Sequence, residues 1–70
     1  MRYAVVVEQT PHNFSAYVPD LPGCIATGGT VAEVELEIRE AIAFHLEGMK
    51  QDGLAAPEPS SQVEYVDIAA

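Results

Sequence analysis

Val31, Val34, Ile38, Ile42, His45 and Met49 recur at the spacing of one helix face, and no other segment shows that period. A single amphipathic helix must bury its stripe on something, and the remaining apolar runs are short and strand-like. This restricts the chain to a helix packed on a sheet. Thr30 and Glu33 have the spacing of a capping box, so the helix is expected to open at Thr30. Glu33, Glu37, Glu40 and Glu47 fall opposite the apolar stripe. The helix is expected to stop between Lys50 and Gly53, where the glycine suits a left-handed cap.

Tyr3 to Val7 is a continuous apolar run that reads as a strand. Gln9 to Asn13, with Pro11, breaks it. Phe14, Ala16 and Val18 then alternate with Ser15 and Tyr17, giving the second strand of an antiparallel hairpin. Pro19-Asp20-Leu21-Pro22-Gly23-Cys24 must turn, because its prolines fix φ and remove amide donors. Ile25 to Thr27 allows a brief third strand, ended by Gly28 and Gly29. Pro57 and Pro59 keep the chain extended after the helix, and Val63 to Ile68 reads as a last strand. The expected fold is α+β: a four-stranded sheet with one helix on one face, in the order β-β-β-α-β. The last strand is expected to run parallel to the first after a right-handed crossover.

At 70 residues the chain forms one domain, residues 1–70. A domain of this size buries only about 60% of the surface its unfolded chain exposes, so association with another copy would help it. Eleven acidic residues face three basic ones, for a net charge of -8. That field repels a phosphate backbone, which argues against direct nucleic-acid binding, and it attracts a basic protein. One cysteine, no signal-peptide pattern and no membrane-length apolar run point to a cytoplasmic protein.

The segment Tyr17-Val18-Pro19-Asp20-Leu21-Pro22-Gly23-Cys24, the Gly28-Gly29-Thr30 helix entry and the Ala41-Ile42-Ala43-Phe44-His45-Leu46-Glu47 run together resemble the HicB-like antitoxin family. The resemblance extends over residues 1 to 68. It implies a partial ribonuclease-H-like fold. It also implies a partner: a small, basic RNA-cleaving toxin of the HicA type, with a double-stranded-RNA-binding-like fold and a catalytic histidine that the antitoxin covers. Many family members add a C-terminal DNA-binding module. This sequence has Gly29 where an acidic residue is frequent, and it ends at Ala70, so autorepression through this chain is not expected.

A ribonuclease-H centre needs convergent carboxylates to hold two metal ions, one of them inside the first strand. That strand reads Val5-Val6-Val7, and Glu8 comes only at its end. No catalytic, cofactor-binding or metal-binding residue is therefore expected, and the chain is read as a non-enzyme. His45, on the apolar stripe, is expected to pack between helix and sheet with one ring nitrogen satisfied. Cys24 is expected to be a small buried residue closing the Pro-Gly loop. Asp20 lies in a stiff loop, where it either contacts a partner or accepts its own backbone amides. Leu36 and Phe44 fall off the buried stripe among the glutamates, which suits contact with a basic, partly apolar surface or with another copy.

The expected function is thus an antitoxin-like inhibitor, with Asp20, Glu33, Glu37 and Phe44 as candidate partner contacts. The alternative is a stand-alone oligomer with a structural or small-ligand role and no toxin partner.

Overall fold

The computed structural model describes residues 1–69. Its elements are β1 (Val6–Gln9), β2 (Phe14–Tyr17), β3 (Ile25–Gly28) and α1 (Val31–Gln51). The three strands form one antiparallel sheet in the order β1-β2-β3. Gln9 pairs with Phe14 at the end of the hairpin. The Thr10 hydroxyl holds the intervening turn by donating to the Asn13 side chain at 2.7 Å, and the Thr10 amide donates to the Asn13 carbonyl at 2.8 Å.

The Pro-rich loop after β2 is two successive turns. The Leu21 amide donates to the Val18 carbonyl at 3.1 Å, and the Cys24 amide to the Leu21 carbonyl at 3.0 Å. The second turn has Pro22 then Gly23, with Gly23 at φ +84°, where a side chain would be strained. This double turn drives Leu21 inward. Leu21 is wholly buried with Ala16, Val18, Cys24, Val34 and Ile38, and these six residues are the core. Burial pushes the Cys24 thiol pKa up, which leaves it an inert packing residue.

The helix begins as the capping-box spacing predicts. The Glu33 amide donates to the Thr30 hydroxyl at 3.1 Å, while the Glu33 carboxylate accepts from the Gly29 amide at 2.8 Å. It ends with the Leu54 amide on the Met49 carbonyl and the Gly53 amide on the Lys50 carbonyl, with Gly53 at φ +72°. Val34 and Ile38 are buried, and Ala41, Ile42 and Leu46 pack beside them. Val31 instead stays exposed, and His45 is half-buried. Gly28 permits the close approach of β3 to the helix, since a Cβ there would lie 2.7 Å from the Val34 nitrogen.

The expected four-stranded sheet, with its β-β-β-α-β order, is not what forms. Among the described residues the sheet has three strands and the order is β-β-β-α. Val63 to Ile68 makes no ladder, and its apolar side chains are exposed. The reason lies in how the preceding segment is held. The Tyr3 hydroxyl donates to the Pro57 carbonyl at 2.6 Å, and Asp20 binds Ser60 and Ser61. So anchored, Ser61 to Val63 are separated from Arg2 to Ala4 by a cleft of about 460 Å³. Ladder hydrogen bonds need N to O separations near ~2.9 Å, and an open cleft precludes them. The first strand also starts later than its apolar run suggests, at Val6, because Ala16 and Tyr17 give partners only to Val7 and Val6. Among the described residues no helix is long and apolar enough to cross a membrane.

Candidate functional site

The side chains singled out from the sequence fall into two groups. Asp20 and Glu33 are already engaged within the chain, whereas Glu37 and Phe44 face solvent. Phe44 is 83% exposed on the helix surface turned away from the core, and Leu36 is exposed on the same element. Glu37, Glu40 and Glu47 are exposed around them. Helix geometry sets Leu36, Glu40 and Phe44 four residues apart, in one row. The row is an apolar strip bordered by carboxylates. Exposed apolar area and negative charge therefore lie side by side on this face of the helix.

Glu33 is occupied by the Gly29 amide at the helix cap. Asp20 is occupied more fully. One carboxylate oxygen accepts from the Ser60 and Ser61 amides, both at 2.9 Å. The other accepts from the Ser61 hydroxyl at 2.7 Å and the Ser60 hydroxyl at 3.1 Å. The Ser61 amide, its hydroxyl and then the Ser60 amide lower the Asp20 pKa from 3.8 to about 2. The carboxylate thus ties the Pro-Asp-Leu-Pro-Gly loop to a segment 40 residues away, and does not close an Asx turn on its own loop. The Ser60-Ser61 pair was the missed half of this clamp. Its sequence signal, two small donors following Pro59, is too common to find unaided.

This clamp has a definite pH dependence. The folded pKa of Asp20 is depressed, so the clamp's contribution is fully present above about 3.8 and is lost as pH falls toward about 2. An NMR titration of the Ser61 amide should show a midpoint near the depressed value. In Asp20→Asn that inflection should vanish, and exchange of the Ser60 and Ser61 amides should accelerate about tenfold or more. A wild-type midpoint at the ordinary aspartate value would disprove the clamp.

Two further surfaces could not be placed from the sequence. The sheet face opposite the helix carries a cross-strand row, Val6, Tyr17 and Ile25, aligned by the register and uncharged. Ile25 is the most exposed of the three. On the helix side, a cleft of about 290 Å³ opens between β1 and α1, lined by Val5, Val7, Glu35, Ile38, Arg39 and Ile42. It exists because the helix lies over β3 and β2 and covers β1 thinly. Among the described residues, no three His, Cys, Asp or Glu side chains gather where a metal ion could be held.

Comparison with known proteins gives a consistent picture. Residues 3–69 match the family model described as the HicB_like antitoxin of bacterial toxin-antitoxin system. An uncharacterised 14.9 kDa protein of Haemophilus phage HP1 is 36% identical over 67 residues, which is 96% of this chain and 50% of the phage protein. The chain therefore spans half the length of that relative. A UPF0150 protein of Helicobacter pylori is 32% identical over 65 residues, 91% of this chain and 90% of its own length. A UPF0150 protein of Thermoplasma acidophilum is 30% identical over 63 residues, 89% of this chain and 91% of its own. Among solved structures, a chain of the HicA3 and HicB3 toxin-antitoxin complex superposes with a TM-score of 0.73 at 32% identity. That match covers 86% of this chain and 70% of the other.

Proposed function

The chain belongs to the HicB-like antitoxin family of bacterial toxin-antitoxin systems, and on that premise we propose that it neutralises a small, basic HicA-type ribonuclease toxin by binding it and covering its active site. The observation that carries this reading is the likeness to a chain of the HicA3 and HicB3 complex. The charge of -8 supports it, because complementary fields speed and orient encounter with a cationic partner. The toxin-facing surface we assign is the helix row of Leu36, Glu37, Glu40, Phe44 and Glu47. It is favoured over the Val6, Tyr17 and Ile25 row because only the helix surface joins exposed apolar area to acids.

The protein acts as a stoichiometric blocker and performs no reaction. The convergent carboxylates that metal-assisted phosphoryl transfer requires are missing from β1, which carries only Glu8, an exposed side chain.

Binding to a HicA-type toxin, followed by calorimetry over a salt series, tests the reading. Affinity should fall steadily as ionic strength rises. RNA cleavage by the toxin should cease at one-to-one stoichiometry, and RNA with this protein and Mg2+ alone should stay intact. Toxin that binds yet still cleaves would end the occlusion mechanism. Cleavage by this protein alone, abolished in Glu8→Gln, would end the non-enzymatic one.

A further inference from the structure

The cleft between β1 and α1 has a floor and a rim of different chemistry. Val5, Val7, Ile38 and Ile42 form the floor, and Glu35 and Arg39 complete the lining. Val7 remains 38% exposed although its cross-strand partner Ala16 is buried. The apolar floor therefore meets water, which favours an apolar group that covers it. The rim side chains, Glu35 and Arg39, are exposed and carry one charge of each sign. They lie four residues apart on α1, so they are neighbours along one side of the helix. An exposed pair of this spacing is held weakly and exchanges readily for other partners. Arg39 is one of only three basic residues in the chain, and its place beside an apolar floor gives this cleft both signs of charge. The Val6, Tyr17 and Ile25 row, by contrast, offers apolar area without charge.

We propose that this cleft binds a free α-amino acid with a branched aliphatic side chain. The ligand side chain packs on Val5, Val7, Ile38 and Ile42. Its carboxylate accepts hydrogen bonds from the Arg39 guanidinium, and its ammonium donates to the Glu35 carboxylate.

Other small ligands use the lining less well. A fatty acid or another simple anion meets Glu35 and a chain of net charge -8. An amine meets Arg39. A hydrocarbon leaves both charges unused. A zwitterion satisfies both signs and brings no net charge. Its two charged groups sit on one carbon, within reach of two long side chains about 5.4 Å apart along the helix axis. Size agrees as well. The cleft holds about 290 Å³, at the lower end of the range of about 300–1,000 Å³ for ligand sites, which suits a molecule no larger than an amino acid.

Titration of the isotope-labelled full-length chain with L-leucine, followed by NMR, tests this. Saturable shifts should centre on Val5, Val7, Ile38 and Ile42, with a dissociation constant below about 1 mM. N-acetyl-leucine lacks the ammonium and leucine amide lacks the carboxylate, and each should bind about tenfold more weakly. Glu35→Gln and Arg39→Gln should each weaken L-leucine binding about tenfold. Both residues are exposed, so the variants should fold as wild type by circular dichroism. Arg39→Gln should also leave the affinity for leucine amide within about twofold, because that ligand has no carboxylate for the guanidinium to hold. This arm separates charge recognition from damage to the cleft. The absence of saturable shifts up to about 10 mM L-leucine would overturn the proposal. So would N-acetyl-leucine binding as tightly as L-leucine, which would make the cleft a plain anion site. Shifts at Val5 and Val7 that follow protein concentration and ignore L-leucine would give the cleft to a second copy, and would overturn it as well.

Discussion

Leu21→Ala should destabilise this domain by about 2–5 kcal/mol, the range for emptying a closed core site. Leu21 is the wholly buried residue that the double turn between β2 and β3 pushes beneath the helix. It packs with Val18, Val34 and Ile38 in a core of only six residues, so few neighbours can shift to refill the space. At roughly 0.05–0.15 kcal/mol per residue, the whole domain is stable by only about 4–10 kcal/mol. The unfolded fraction of Leu21→Ala should therefore rise at least about thirtyfold. Urea melts read by circular dichroism would measure the loss. A change below about 1 kcal/mol would mean that the Pro-Asp-Leu-Pro-Gly loop is not what closes the core.

Phe44→Ala should do the opposite. The side chain is 83% exposed, so stability should change by no more than about 0.5 kcal/mol. Toxin binding should weaken by about 2 kcal/mol, roughly thirtyfold, as for an aromatic anchor at the centre of an interface. Ile25→Ala, on the opposite face of the sheet, is the control and should leave affinity within about twofold. Calorimetry on the two variants separates the surfaces. If Ile25→Ala lost affinity while Phe44→Ala did not, the partner would use the sheet face and the helix assignment would be wrong.

The two variants also show which inferences a sequence supports. Phe44 could be assigned to the outside from angular position alone, because a helix of known start imposes its faces on every residue that follows. The start itself was legible in Thr30 and Glu33, and the stop in Gly53, since caps are local chemistry. Asp20 was legible as a notable acid but not as a clamp. Its partners, Ser60 and Ser61, lie far along the chain, and no local rule connects them. Glu33 was legible as a capping residue, and its hydrogen bond to the Gly29 amide forms that cap.

The last strand is where local reasoning failed. Val63 to Ile68 has strand composition, and composition is what a residue pattern can report. Whether such a segment joins a sheet depends on backbone partners at hydrogen-bond distance, which the chain does not encode next to it. By itself the sequence determined the helix and most of its buried face, the hairpin, a turn at the Pro-rich loop and the acidic exterior, because each follows from torsional limits, periodicity or charge within a few residues. Tertiary structure alone decided that the sheet has three strands among the described residues, that Asp20 anchors Ser60 and Ser61 and that a cleft opens beside β1. Those outcomes depend on distances between residues remote in sequence, set only when the helix settles over β2 and β3.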